Sequence, residues 1–217
     1  MKFILLLGAP GAGKGSIAEY LAQTYRFVHL STGHIFRSLG SSTKPIAQKI
    51  RAITSEGKLV PDDLTNDLIF ETLTNLAQEH PEQTVILDGY PRTISQAEFF
   101  NKHFLFDHVL LLEVSEAEIL FRLNNRLVCT QGDHTYHKVN KPPHQPGICD
   151  VDQTLLYQRK DDQADVILHR LEVYQQQTTP LIELYEQLGL LTRIDAGGSL
   201  ASTETAVISI LGLSQKK

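Results

Sequence analysis

The sequence predicts a doubly wound α/β fold, and three observations carry that expectation. Short apolar runs suited to strands covered on both faces alternate with segments of helical period. The first run, Phe3 to Leu7, ends directly in a glycine-rich turn that opens a helix. The 217 residues, 41% hydrophobic and 21% charged, can bury one substantial core and are too apolar for a disordered chain.

Taken in order, Phe3-Ile4-Leu5-Leu6-Leu7 reads as a central parallel strand. From Ser16 the period becomes helical: Ile17 and Leu21, like Ala18 and Ala22, stand four apart, with Glu19 and Gln23 directed elsewhere. Phe27 to Leu30 gives a second strand. A helical region follows from about His34 to Gln78, with Ile46, Ile50 and Ile53 and then Ile69, Leu73 and Leu76 in period. It breaks at Gly57 to Pro61, which marks an insertion between strands. Val85 to Leu87, His108 to Val114 and Leu190 to Ile194 complete five strands. Between and after them, Leu120, Leu123 and Leu127, then Ile167, Leu171 and Tyr174, give further helical series. Pro180 is expected to kink or restart the late helix before Leu181, Leu184 and Leu188. Cys129 to Tyr157 holds Gly132, Pro142, Pro143, Pro146, Gly147 and three histidines with little periodicity, and reads as an inserted lobe. Both insertions are expected to act as mobile lids.

The formal charge of −5 argues against a broad basic field for nucleic acid, so any phosphate ligand must be held locally. The longest apolar runs, Phe3 to Leu7 and Val109 to Leu112, are too short to cross a bilayer, and the N-terminus lacks the features of a signal peptide. A soluble, cytoplasmic protein without membrane or nucleic-acid partners is expected. Two cysteines, Cys129 and Cys149, provide no disulfide framework.

The strongest chemical signal is Gly8-Ala9-Pro10-Gly11-Ala12-Gly13-Lys14-Gly15-Ser16, between the first strand and the first helix. Glycines let the backbone curl until several N–H groups face one anion. The helix N-terminus adds positive potential, and Lys14 can reach terminal phosphates. The run departs from strict GxxxxGK[ST], because Gly15 follows the lysine and the hydroxyl arrives at Ser16. A second cluster, Leu87-Asp88-Gly89-Tyr90-Pro91-Arg92-Thr93, follows a predicted strand, where such sheets bind ligands. There Asp88 is placed to hold Mg²⁺ through water and Arg92 to face phosphates.

With these two clusters, STGHIFR at Ser31 to Arg37, GKLVPD at Gly57 to Asp62 and QRKDD at Gln158 to Asp162, the chain resembles the adenylate kinase family over nearly its whole length. The resemblance implies a P-loop nucleoside monophosphate kinase fold: a five-stranded parallel sheet flanked by helices, with two inserted mobile lobes. It implies a core of 1–30, 62–126 and 160–217, an AMP-binding lobe at 31–61 and a long lid of bacterial type at 127–159. It also implies reversible phosphoryl transfer from ATP to AMP giving two ADP, with Mg²⁺ accompanying ATP, in a monomer.

Residue by residue, the resemblance assigns Gly11, Ala12, Gly13, Lys14, Gly15 and Ser16 to the ATP phosphates. Arg122, Arg126, Thr135, Tyr136 and Gly198 match positions around the ATP base, ribose or phosphates. Thr32, Arg37, Lys58, Leu59, Val60, Gly89, Tyr90, Pro91, Arg92 and Gln96 match the AMP site, with Gln96 reading adenine through an amide that offers both donor and acceptor. Arg159 and Arg170 match arginines that grip AMP and the transferring group. Lys14, Arg92, Arg126, Arg159, Asp161, Asp162 and Arg170 thus form the catalytic set. Arg122 and Arg126, four apart, are expected to share a helical face, as are Arg159 and Arg170, eleven apart, if their helix starts early. Asp161 and Asp162 would orient these arginines.

Two positions depart from the family pattern. His34 stands where STGD has an aspartate, leaving Asp88 as the one carboxylate of the magnesium-water network; it reads as a helix-start residue. In the lid, Cys129, Cys149 and Asp152 match three of the four positions that in related proteins carry a zinc knuckle or a polar quartet. Gly132 occupies the other and has no side-chain ligand. Two readings stay open: a structural zinc completed by Asp133 or His134, or a zinc-free lid held by hydrogen bonds.

Other functions fit less well. A kinase for another nucleoside monophosphate, or a GTP-dependent AMP phosphotransferase, would share the phosphate machinery. A nucleotide switch would not need Arg37, Arg92 and Gln96, and no NKxD guanine motif is present. The arginines also argue against a silent binding module.

Overall fold

A computed structural model describes residues 1–39, 48, 50, 52–54, 56, 58–131 and 134–215, without the side chains of 37–39. Five parallel strands form the central sheet: β1 (Lys2–Leu7), β2 (Val28–Ser31), β3 (Thr84–Asp88), β4 (His108–Glu113) and β8 (Leu191–Asp195), in the order β2-β3-β1-β4-β8. All five lie within a residue or two of the apolar runs that predict them. Alternation along β1 divides the core between the sheet's two faces. Phe3, Leu5 and Leu7 pack with Leu73, Phe100 and Tyr185, whereas Ile4 and Leu6 pack with Ile17, Leu21 and Val207.

Helices cover both faces: α1 (Lys14–Tyr25), α2 (Thr32–Leu39), α3 (Asp62–Glu79), α4 (Ile94–His103), α5 (Glu116–Asn124), α6 (Ala164–Val173), α7 (Pro180–Gln187) and α8 (Leu200–Ile210). Between α2 and α3, residues 48, 50 and 52–54 are helical and 58–61 are not, which agrees with the predicted break. Ile46 and Gly57 lie outside the described residues. Pro180 does restart the helix: a π-helical turn, Tyr174–Thr178, precedes α7 and places proline at its first position, where a missing N–H costs no helical bond.

The expected lobe contains a small antiparallel sheet of β5 (Arg126–Cys129), β6 (Thr135–His137) and β7 (Leu156–Tyr157), in the order β6-β5-β7. Three expectations are corrected by the structure. Leu127 is not on the helix with Leu120 and Leu123, because α5 ends at Asn124 and Asn125 leaves helical geometry at φ −103°, ψ 1°. For the same reason Arg126 does not share a helical face with Arg122; it begins β5. Arg159 likewise stands off the helix of Arg170, in extended backbone before a 3₁₀ turn at Lys160–Asp162, with α6 starting only at Ala164. Among the described residues, no helix is long and apolar enough to cross a membrane.

Candidate functional site

The site lies at the carboxyl ends of β1 and β3, adjacent central strands whose following loops converge. After β1 the chain turns through Gly8 to Gly13. Gly13 caps α1 in left-handed backbone, φ 96°, and no side chain caps that N-terminus, whereas Thr93, Ser115 and Ser199 cap α4, α5 and α8. Hydrogen-bond donors at the start of α1 are thus left to an anion.

Lys14 folds back over the loop, its Nζ donating to the carbonyls of Gly8 at 2.8 Å and Ala9 at 3.0 Å. Burial lowers its pKa to about 8; Asp88 opposes the shift, while the positive fields of Arg92, Arg170 and Arg126 add to it. Three arginines from separate elements therefore bear on one phosphate-loop lysine. A cleft lined by Gly8, Lys14, Leu59, Gly89, Arg92 and Arg170 joins these groups. Such an accumulation of cations suits a polyanionic ligand.

Asp88 closes β3 beside the start of α1: a Cβ added at Gly15 would lie 3.7 Å from its Oδ2. Burial acts to raise its pKa, but His29, with Nε2 3.5 Å from Oδ2, and the charges of Lys14 and Arg92 outweigh burial and keep the carboxyl low. An ionised carboxylate next to the phosphate loop has the chemistry to hold a hydrated magnesium ion. His34 is exposed at the start of α2, its N–H donating to Ser31 Oγ at 3.3 Å, as a helix-start residue does.

The loop after β3 is tightly built. Gly89 takes φ 82°, and a Cβ there would meet Arg92 Nη2 at 2.7 Å and Thr32 Oγ1 at 2.8 Å, so only glycine fits. Its carbonyl accepts from Thr32 Oγ1 at 2.8 Å and from Arg92 Nε at 2.7 Å, joining three predicted site residues. Tyr90 is buried, its hydroxyl donating to Asn66 Oδ1 at 2.7 Å, and burial raises its pKa. Thr178, at the end of the π turn, donates to the Arg92 carbonyl at 2.9 Å. Pro91 and Leu59 line the cleft and Val60 is buried beside Phe36, but Lys58 is exposed and pairs with Glu56. The Arg37 side chain lies outside the described residues. Gln96 is 2% exposed; its Oε1 accepts from the Arg92 N–H, and its Nε2 donates to Asp62 Oδ1, both at 2.7 Å.

Arg122, Arg126 and Arg170 are held by acids, though not on the faces that spacing suggested. Asp162, 1% exposed, accepts from Arg126 Nε at 2.7 Å and Nη2 at 2.6 Å, and from Arg170 Nη1 at 3.3 Å. Asp161 Oδ2 lies 3.1 Å from Arg170 Nη1. Between them the two aspartates contact both Arg126 and Arg170. Burial lowers the Arg170 pKa, an effect that Asp161 and Asp162 oppose. Arg122 is drawn instead to the phosphate loop and the last strand: Glu118 holds its Nε, and its other nitrogens donate to the carbonyls of Ala12, Ala196 and Gly198.

In the lid, Cys129, His134, Cys149 and Asp152 place one ligand atom each within 4.8 Å of one another. His134 Nδ1 lies 3.4 Å from Cys129 Sγ, 3.5 Å from Cys149 Sγ and 3.3 Å from Asp152 Oδ2. Those separations match the roughly 3.3–3.8 Å edges of a tetrahedron with zinc–ligand bonds of about 2.0–2.3 Å. Two thiols, an imidazole and a carboxylate thus fit zinc, with His134 supplying the donor that Gly132 lacks. Asp133, the other proposed substitute, lies outside the described residues, as does Gly132. Thr154 donates twice to Asp152 Oδ1, and its hydroxyl, followed by the Cys149 thiol and the Thr154 backbone N–H, holds the Asp152 carboxyl well below the usual carboxylate range. Tyr136 is buried against the thiols, which turns its ring into the lid, while Thr135 beside it is half-buried.

Sequence reasoning gave no role to Asp62, Asn66, His29, Glu118 or Thr178. Asp62 at least closes the GKLVPD motif. Glu118 stands one helical turn before Arg122, and Asn66, His29 and Thr178 are linked to the site by contacts across the fold.

A family model described as adenylate kinase matches residues 6–190. The adenylate kinase of Ruminiclostridium cellulolyticum is 40% identical over 215 residues, covering 97% of this chain and 99% of the relative. That of Mycoplasmopsis pulmonis is 41% identical over 199 residues, covering 90% and 92%, and that of Staphylococcus aureus 36% over 213 residues, covering 96% and 98%.

Proposed function

The chain belongs to the adenylate kinase family, and from that premise we propose how its residues divide the work. The activity is ATP:AMP phosphotransfer, giving two ADP. The single observation that carries the site assignment is the cleft at the glycine loop, where Arg92 and Arg170 line one cavity with Lys14 and Asp162 joins Arg126 to Arg170.

ATP phosphates lie over Gly11 to Ser16, received by backbone N–H groups and Lys14, with Arg122, Thr135, Tyr136 and Gly198 toward the base and ribose. AMP lies against Thr32, Arg37, Lys58 to Val60, Gly89 to Arg92 and Gln96. An AMP phosphate oxygen then attacks the γ-phosphorus in line, so no covalent enzyme intermediate is needed. Two polyanions repel, and Arg92, Arg126, Arg159 and Arg170 offset that repulsion as charge shifts onto the moving group. Asp161 and Asp162 hold Arg126 and Arg170 in place beforehand, so little reorganisation remains for the transfer itself. The lobes at 31–61 and 127–159 close over the core at 1–30, 62–126 and 160–217, which excludes water as a competing acceptor.

Asp88 would hold magnesium through water. When bound, the ion neutralises charge on the β- and γ-phosphate oxygens. Cys129, His134, Cys149 and Asp152 would hold a structural zinc, which when bound crosslinks the lid loops. A monomer is the state we assign, and two cysteines without a disulfide suit the cytoplasm.

A coupled assay for ADP from ATP plus AMP, run against GTP as donor and CMP, UMP and water as acceptors, tests donor, acceptor and chemistry together. ADP formation confined to ATP with AMP is expected; equal rates with CMP or UMP would overturn the acceptor assignment.

A further inference from the structure

The Gln96 amide is held at both ends by groups of fixed polarity. Its Oε1 faces the Arg92 backbone N–H, which can only donate, and its Nε2 faces Asp62 Oδ1, which as a carboxylate only accepts. Asp62 is itself fixed, because its other oxygen accepts from Thr93 Oγ1 at 2.7 Å, and that hydroxyl accepts in turn from the Gln96 N–H at 3.1 Å. Asp62 opens α3, whereas Thr93 and Gln96 open α4, so the ring of contacts locks two helix starts together. Turning the amide over would set two donors against each other at Arg92 and two acceptors at Asp62.

This orientation bears on base choice. Each end of the amide is used once, which leaves Gln96 one N–H and one oxygen lone pair. Adenine presents an acceptor at N1 beside a donor at its 6-amino group. Hypoxanthine and guanine present a donor at N1 beside an acceptor at O6, the reverse order. An amide of fixed sense can satisfy one pattern and leaves paired like groups against the other, and mismatched buried polar groups are the strongest source of discrimination a site has.

We propose that Asp62 is a specificity-determining positioning residue: it sets the sense of the Gln96 amide and thereby makes the acceptor site select a 6-amino over a 6-oxo purine nucleotide. This inference rests on the reading of Gln96 as the residue facing the acceptor base. Asp62 acts through Gln96 and touches no reacting atom.

The test compares kcat/KM for AMP and for IMP, with ATP as donor, in the full-length wild type, Asp62→Asn and Gln96→Leu proteins, alongside KM for ATP and thermal midpoints. An asparagine at 62 can offer Gln96 either polarity, so one of the two locks is released. In Asp62→Asn the AMP-to-IMP ratio should fall at least tenfold while KM for ATP holds, a change that a loss of helix stability alone would not produce. A ratio unchanged in Asp62→Asn but collapsed in Gln96→Leu would overturn the role of Asp62 and leave Gln96 as the base reader. A wild-type ratio in Gln96→Leu would overturn the reading of Gln96 itself.

Discussion

Replacing Lys14 by methionine removes a charge that the folded protein holds at a cost. The half-buried lysine lines a cleft together with Arg92 and Arg170, with Arg126 adding to the positive field, and its pKa falls from an ordinary 10.5 to about 8. That gap corresponds to at most about 3 kcal/mol, solvent screening reducing it. The sign follows from proton linkage. Between pH 8 and 10.5 the unfolded chain keeps a proton that the folded chain has released, so stability contributed by this group rises with pH across that window. Below pH 8 both states are protonated and the full cost is present. Urea denaturation of wild type and Lys14→Met at pH 7.5 and 10 should therefore show the wild type gaining on the variant by up to about 2 kcal/mol at the higher pH. A polyphosphate reverses the balance, because its negative charge favours protonated Lys14. At pH 8, magnesium-free ATP should accordingly bind with uptake of up to about half a proton, read as a dependence of calorimetric enthalpy on buffer ionisation. Lys14→Met should show no such uptake. Binding to wild type without proton uptake, or identical pH slopes in the two proteins, would refute the claim that Lys14 waits in the cleft for an anion.

Asp162→Ala strands Arg126 and leaves Arg170 to Asp161 alone, so denaturation should report a loss of about 3 kcal/mol, with a marked fall in turnover. Arg126→Ala keeps Asp162 paired with Arg170; kcat should drop by about 10²–10³ while the thermal midpoint stays close to wild type, and near-normal turnover would remove Arg126 from the catalytic set. Protein purified without added zinc should carry one zinc per chain by elemental analysis, and His134→Ala should lower that content along with lid stability. Absence of stoichiometric metal from the wild type would establish the hydrogen-bonded lid instead.

What the chain discloses by itself depends on how far each interaction reaches along it. β1, β3 and β4 are apolar on both faces because helices cover the sheet on both sides, so their runs stand out within five or six residues. The glycine loop is equally local, since one turn must curl around an anion. Helix ends are less secure. Arg122, Arg126 and Leu127 fit a helical period, but Asn125 ends that helix, and Leu127 instead packs against the buried core of the lid. Periodicity reports which residues would share a face if a helix continued, not whether it does. Partner choice is harder still: Asp62 meets Gln96 across 34 residues, Arg126 meets Asp162 across 36, and Thr178 meets Arg92 across 86. Asp62 and Asp162 at least stand in motifs of their own, whereas nothing around Thr178 marks it in sequence as the partner of Arg92. The groups that meet nucleotide can therefore be named from local pattern, and so can Asp161 and Asp162, whereas the pairing of Asp62 with Gln96 and of Thr178 with Arg92 emerges only once the fold brings distant segments together. The lid makes the same point at shorter range. Gly132 at a ligand position argues against zinc when positions are matched one by one, yet a displacement of two residues to His134 returns a nitrogen to the cluster, because a tetrahedral site constrains where donor atoms meet and not which residue delivers them.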